Sequence, residues 1–153
     1  MDEELRRAKD YVFRLLALCP RTEKELNIKM RNKGFTSDTI DNVIAVIKEY
    51  RYIDDAGYAQ IWISDRCRMK PMGKRRLYQE LYTKGVEKEI INQALTGLTP
   101  ELEYSMARRI VDRKMAKGRL EPRKMFSFLM RRGFTVEVIN KILLEISGET
   151  MPE

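Results

Sequence analysis

The sequence has no histidine and only two cysteines, Cys19 and Cys67, among 153 residues. Two separated thiols without imidazole cannot furnish a four-ligand zinc site, and no Cys-x-x-Cys spacing is present. Reduced thiols, no metal and no cofactor are expected. Long apolar runs are missing too: none approaches the roughly 18 to 20 residues that a membrane-crossing helix needs. The opening residues, MDEELRRAKD, are charged throughout and unlike a secretion signal. A soluble, cytoplasmic protein without a membrane partner is expected. No phosphate-cradling loop is found either. Residues 70–86, KPMGKRRLYQELYTKGV, contain a Gly-Lys pair. Arg75 follows it, where a Walker loop carries its magnesium-binding Ser or Thr, and Arg68 stands where that loop has its first glycine. Asp54-Asp55 lack the further acids or base of a magnesium site and fit better as the N-cap of a helix over 55–68. Without a nucleophile–base pair, metal cluster or nucleotide loop, the chain is not expected to be an enzyme.

What the sequence has in excess is positive charge. Its 30 Lys and Arg against 23 Asp and Glu leave +7, a balance that favours a polyanionic partner. The excess is uneven. Between 66 and 84 stand Arg66, Arg68, Lys70, Lys74, Arg75, Arg76 and Lys84, opposed only by Glu80. Between 108 and 132 stand Arg108, Arg109, Arg113, Lys114, Lys117, Arg119, Arg123, Lys124, Arg131 and Arg132, opposed by Asp112 and Glu121. Residues 37–55 are acidic by contrast. A solvated helix face accounts for any one of these cations, but the clusters point to a partner more strongly than their members do.

The glycines organise the chain. Lys33-Gly34-Phe35, Lys84-Gly85-Val86 and Arg132-Gly133-Phe134 share a basic–Gly–apolar pattern, with glycines 51 and 48 residues apart. Eight before each Gly stand Leu26, Leu77 and Met125; four before stand Met30, Leu81 and Leu129. Six after come Ile40, Ile91 and Ile139, ten after Ile44, Leu95 and Leu143, and thirteen after Ile47, Leu98 and Ile146. This is an internal repeat of about 48 residues. Positions −8 and −4 share one face of a helix that stops at the Gly, and +6, +10 and +13 share a face of the next. Thr36 to Asp38 and Thr135 supply N-cap oxygens between them. Upstream amphipathic stretches at 4–18, 55–68 and 101–116, bearing Val12, Leu15, Leu16, Trp62 and Ile63, close each core.

The expected fold is all-α: three tandem three-helix repeats, each helix-turn-helix-like, in an elongated, curved array. The repeats are expected over 1–54, 55–100 and 101–153. The run YAQIWIS has a strand-like composition, but no pairing partner lies nearby. Small three-helix bundles share the helix–Gly turn–helix layout without touching DNA.

These residues resemble the RecX family of recombination regulators. The likeness is carried by Tyr52-Ile53-Asp54-Asp55, Tyr58-Ala59, Trp62-Ile63, Arg66, Pro71, Gly73, Arg75-Arg76-Leu77, Glu80-Leu81 and Lys84-Gly85-Val86. The first repeat adds Leu15-Leu16-Ala17-Leu18, Pro20-Arg21, Glu25-Leu26 and Lys33-Gly34-Phe35. The third repeat is less similar, with Met125 and Phe126 in place of a leucine-centred pattern. The resemblance implies a non-enzymatic protein that binds the RecA–DNA filament, lies along its groove and inhibits RecA ATPase and strand exchange. The implied partners are the RecA nucleoprotein filament and single- and double-stranded DNA, and a monomer is expected.

The candidate nucleic-acid or filament contacts are Arg66, Arg68, Lys70, Lys74, Arg75 and Arg76 in the middle repeat. In the third they are Arg113, Lys114, Lys117, Arg123, Lys124, Arg131 and Arg132. Lys74, Arg75 and Arg76 crowd the positive end of a helix expected to start near Pro71, where its dipole disfavours cations, and this suggests an anionic partner. Tyr78 and Tyr82 lie four apart beside them and suit an edge position from which bases can be stacked. Trp62 fits a buried face better. The alternative reading is a helix-turn-helix transcription regulator. The helices after each Gly begin Thr36-Ser37-Asp38, Glu87-Lys88-Glu89 and Thr135-Val136-Glu137, and such acidic starts approach DNA phosphates poorly. A helical scaffold with incidental charge is a third reading. For an elongated array, solution scattering should give a radius of gyration well above the roughly 15 Å of a compact chain this long. A value near 15 Å would count against the array.

Overall fold

In the computed structural model, which describes residues 2–150, the described residues form nine helices and no strand. They are α1 (Asp2–Leu18), α2 (Glu23–Lys33), α3 (Ser37–Glu49), α4 (Asp55–Met69), α5 (Lys74–Lys84), α6 (Lys88–Leu95), α7 (Pro100–Ala116), α8 (Pro122–Arg131) and α9 (Val136–Thr150). YAQIWIS is helical within α4, where Ala59 and Ile63 lie one turn apart and are buried. The helices form two compact units. One takes the chain up to Ile61 together with Leu81–Ile91; the other takes Trp62–Glu80 and the chain from Asn92 onward.

The apolar columns of the repeat make the cores. Leu26, Leu77 and Met125, then Met30, Leu81 and Leu129, then Ile40, Ile91 and Ile139 are all buried. In the first unit they join Ala8 and Val12 of α1 and Val43, Ile44 and Ile47 of α3, flanked by the partly buried Leu15, Leu16 and Phe35. Removing a side chain of this size from water contributes about 1.5–3 kcal/mol each. The column fails at two positions. Leu143 and Ile146 are only half-buried, whereas Ile44, Leu95, Ile47 and Leu98 are buried. The slot nine after the Gly is buried in every repeat, by Val43, Ala94 and Ile142. Ile142, far bulkier than Ala94, fills the third core together with Val138 and turns Leu143 outward.

The helix ends follow local chemistry. Gly34, Gly85 and Gly133 adopt φ of 97°, 96° and 85°, the left-handed region where a Cβ is penalised. Thr22 caps α2 through a full capping box with Glu25, and Thr36 caps α3 by accepting Thr39 N–H. Asp54 caps α4 by accepting Gly57 N–H at 3.1 Å, as the sequence suggests. Its neighbour does something else: the Asp55 carboxylate accepts Glu23 N–H at 3.3 Å and so caps a different helix, α2.

One joint occurs twice. In the first unit Thr22, the N-cap of α2, donates its hydroxyl to the carbonyl of Lys84 at 2.6 Å, and the Lys24 side chain fills the space beside Gly85. In the second unit Gly73, just before α5, donates its N–H to the carbonyl of Arg132 at 2.7 Å, and Arg76 fills the space beside Gly133. Both donors stand twelve residues before their own repeat glycine, and both acceptors stand one before the next. Helix α5 therefore begins at Lys74 rather than near Pro71. The backbone of 71–73 is drawn into this joint, with Arg132 Nη1 donating to the Pro71 carbonyl at 3.4 Å.

The three glycines should respond unequally to a methyl group. A Cβ on Gly34 meets nothing within 4 Å, so Gly34→Ala incurs only the left-handed backbone penalty, about 1–2 kcal/mol. On Gly133 it would overlap the Arg76 backbone, which cannot move without opening the joint. Urea unfolding should show a clearly larger loss for Gly133→Ala, and equal losses would contradict the joint.

Candidate nucleic-acid interface

The sequence-nominated cations fall into separate groups in the second unit. Lys74, Arg75, Arg76 and Arg131 line an open cleft of about 600 Å³ that also exposes Tyr78, Gln79 and Asn92. Lys70, Arg113, Lys114, Lys117 and Arg132 line another of about 310 Å³, around the ring of Phe128 and with no carboxylate in its lining. Lys114 Nζ sits 3.9 Å and the Arg132 guanidinium carbon 5.0 Å from the centre of that ring. The ring's negative face holds both cations where they would otherwise repel. Arg123 and Lys124 lie apart, exposed in the first turn of α8.

Arg66 is tied down. Its Nε and Nη2 donate to the two carboxylate oxygens of Glu80 at 3.1 and 2.9 Å, and it lies over the Trp62 ring at 5.2 Å. Trp62 is half-buried and donates its indole N–H to the same carboxylate at 3.0 Å. Arg76 shares Glu80 through Nε at 3.5 Å and donates from Nη1 to the Arg131 carbonyl at 3.2 Å. A bidentate, partly shielded pair of this kind fixes side-chain geometry more than an exposed pair does. Arg68 is exposed and paired with Asp65 at 3.1 Å, while Arg75 rests against Met130 Sδ at 3.7 Å. Glu80, the lone acid of its stretch, is thus a brace for Trp62, Arg66 and Arg76. Tyr82 is half exposed and Tyr78 partly buried, so both stand at an edge.

The start of α5 also reads differently in three dimensions. Arg75 N–H donates to the Gly133 carbonyl at 3.0 Å, Gly73 N–H to Arg132, and Lys74 N–H makes a long contact of 3.5 Å to Glu103 Oε1. The positive end of α5 is answered by two carbonyls at the end of α8 and by a buried carboxylate. Cations crowded there are compensated within the protein, and their position alone no longer argues for an anionic partner.

Glu103 belongs to a pattern that the sequence reading passed over. Glu4, Asp55 and Glu103 each stand thirty residues before a repeat glycine. Glu4 accepts Thr36 N–H at 2.8 Å and Glu103 accepts Thr135 N–H at 3.0 Å, so both close the start of the helix after the glycine turn. Asp55, one methylene shorter, turns to Glu23 instead. Surroundings split their acidities. The Thr36 N–H holds Glu4 below the ordinary carboxyl value, whereas burial pushes Asp55 and Glu103 above it. An acid recurring at a fixed offset was the available signal. Its partners, two backbone N–H groups, leave no trace in composition.

Fold and surface together define a helical protein built of three-helix repeats. The sequence matches the first three-helix domain of RecX over residues 8–45 and the second over 54–95. It is 38% identical to the regulatory protein RecX of Caldanaerobacter subterraneus subsp. tengcongensis, an alignment covering 92% of this chain and 71% of that one. Identity to the regulatory protein RecX of Amycolatopsis mediterranei is 30%, over 97% of this chain and 90% of the other. The crystal structure of RecX from Lactobacillus salivarius has the same fold, with a TM-score of 0.82, 21% identity, and coverage of 96% of this chain and 99% of that one. The chain belongs to the RecX family of regulatory proteins. Among its described residues, no helix is long and apolar enough to cross a membrane.

The raised pKa of Glu103 has a consequence for stability. A carboxyl whose folded pKa exceeds its ordinary 4.5 contributes stability below that pH and loses it as pH climbs through the folded value. Glu103→Gln keeps an oxygen to accept the Thr135 N–H but cannot ionise. Urea midpoints measured from pH 4.5 to neutrality should therefore fall less steeply for the variant than for the native chain. Parallel slopes would mean that Glu103 is not the titrating group.

Proposed function

We propose that this chain regulates recombination and repair by binding the RecA–DNA filament and inhibiting RecA's ATPase and strand exchange, without catalysing a reaction itself. Family membership supports the choice of RecA. The observation that supports the manner of binding is the cleft around Phe128, where five cations and no carboxylate converge. Lysine and arginine hold phosphate oxygens without reading base sequence, which suits a partner whose DNA varies. The contacts fall to the exposed Lys70, Lys74, Arg75, Arg113, Lys117 and Arg131, with Lys114 and Arg132 set by Phe128. Arg66 and Arg76 serve mainly as braces on Glu80.

The transcription-regulator reading has less support. Such a protein presents the start of its second helix to the major groove, with N–H groups and short side chains free to approach the backbone. Here Glu4 and Glu103 already occupy those N–H groups at Thr36 and Thr135 and place negative charge there.

Adding the protein to a RecA filament on single-stranded DNA should lower its ATPase rate, and an unchanged rate would overturn the proposal. With about five phosphate contacts, the log–log dependence of duplex affinity on salt should have a slope of roughly −4 to −5. Arg113→Glu with Lys117→Glu should make that slope shallower by about two, one per lost contact, and weaken filament inhibition in parallel. Charge reversal at Arg75 that left DNA and filament binding intact would remove it from the interface.

A further inference from the structure

The joint that links successive repeats leaves both of its halves unused once. Its accepting half is a helix end: the carbonyl one before a repeat glycine, beside a surface with no Cβ. At Gly85 and Gly133 the space is filled by Lys24 and Arg76, and the carbonyls of Lys84 and Arg132 accept from the Thr22 hydroxyl at 2.6 Å and the Gly73 N–H at 2.7 Å. At Gly34 the left-handed turn is the same, with φ of 97°, yet a Cβ there would meet nothing within 4 Å. Lys33 and Gly34 are exposed.

The inserting half is a helix start: an N-cap residue twelve before its glycine, followed two or three residues later by a long basic side chain. Thr22 with Lys24, and Gly73 with Arg76, fill this role. The third copy is Glu121 with Arg123 and Lys124, in the same register before Gly133. Glu121 makes no side-chain cap hydrogen bond, and Glu121, Pro122, Arg123 and Lys124 are all exposed. Its backbone N–H can donate as that of Gly73 does, and Pro122 at the first helical position lends the turn the rigidity that insertion needs.

We propose that copies of this chain join head to tail, the start of α8 in one copy seating on the Gly34 turn of the next. The occupant is set by continuity with the joint that the chain already makes twice. The two halves are made of different residues, so the contact is heterologous and is not limited to a pair. Its charges restrain it: Arg31 and Lys33 on one side face Arg123 and Lys124 on the other, all exposed. In dilute low-salt solution this repulsion keeps the chain monomeric. Screening at about 1 M salt, where the Debye length is about 3 Å, removes the restraint. The proposal does not depend on RecA or DNA, because salt alone serves as the probe.

The test uses the full chain with Cys19→Ser and Cys67→Ser. A chain carrying Lys33→Cys is mixed with one carrying Glu121→Cys, and disulfide formation is followed at about 1 M and at about 0.05 M salt, where screening differs severalfold. At the Gly133 joint the counterparts of these two positions, Arg132 and Gly73, share the 2.7 Å hydrogen bond, so a joint of the same kind brings the two thiols within bonding range. The mixed disulfide should form at least tenfold faster than in a control pair where Gly97→Cys replaces Lys33→Cys, and the advantage should shrink at low salt. Gly34→Asn, which tolerates the left-handed turn but fills the socket, provides the non-covalent arm. By sedimentation at high salt, the native chain should grow in mass with concentration while Gly34→Asn stays monomeric at an unchanged melting temperature. Equal cross-linking in the control pair, a native chain monomeric throughout, or oligomers that persist in Gly34→Asn would each overturn the proposal. So would a disulfide between Lys33→Cys and the same position of a second copy in place of the mixed product.

Discussion

A helix that stops at a left-handed glycine leaves its last carbonyls facing outward, and an unpaired carbonyl buried away from water is costly. At Lys84 and Arg132 the carbonyl is met by the first turn of another helix, through the Thr22 hydroxyl or the Gly73 N–H. One contact satisfies an orphan acceptor at one helix end and occupies a donor at another, which neither helix achieves alone. It also aligns the positive end of one helix with the negative end of the next. Glycine is required on both counts. Its φ closes the turn, and its missing side chain leaves the room that Lys24 and Arg76 fill. The apolar columns give each unit its core, but where one helix ends against another is fixed by these two hydrogen bonds.

That arrangement changes the meaning of the charge around α5. Seen along the sequence, Lys74, Arg75 and Arg76 oppose the helix dipole and seem to require an external anion. In space, the carbonyls of Arg132 and Gly133 and the buried Glu103 supply the opposing charge. The stronger electrostatic signal lies around Phe128, where Lys114 and Arg132 both approach the ring and Lys70, Arg113 and Lys117 add charge with no carboxylate in the lining. Charges paired inside the protein lower its own energy. Charges gathered without a partner raise it, and only the second kind argues for something outside.

Much of the architecture was legible because it rests on local rules. A residue with no Cβ at a helix end, and apolar side chains at spacings of three and four, report directly on turns and buried faces. The repeat placed Leu26, Leu77, Met125 and their companions correctly, and the caps at Thr36 and Asp54 followed from residue type. Where the reading slipped, the cause was tertiary. Ile142 displaced Leu143 because a slot filled by alanine in one repeat holds a larger side chain in another. Asp55 left its own helix to cap α2, since its carboxylate meets Glu23 N–H there. Glu80 looked like one acid outnumbered by bases, yet its contacts with Trp62, Arg66 and Arg76 reach fourteen to eighteen residues back and four residues back along the chain. No count of charges distinguishes a brace from a contact surface.

The acid thirty residues before each glycine carries the last step. A carboxylate at the start of a helix caps that helix and also places negative charge where a phosphate would have to approach. Held by the N–H of Thr36 or Thr135, Glu4 and Glu103 occupy the positions through which a helix-turn-helix would approach DNA. Glu103 does so from a buried site, where a charged group is tolerated only because backbone donors surround it. The helix-turn-helix shape is therefore retained while the surface that would let it read a groove is closed from within. The exposed cations that line the two clefts lie on other helices, α5, α7 and α8, and at Lys70 between α4 and α5. A fold that closes two of its three such helices, those after Gly34 and Gly133, and exposes its basic flanks is less suited to reading base sequence than to contacts made by charge and shape.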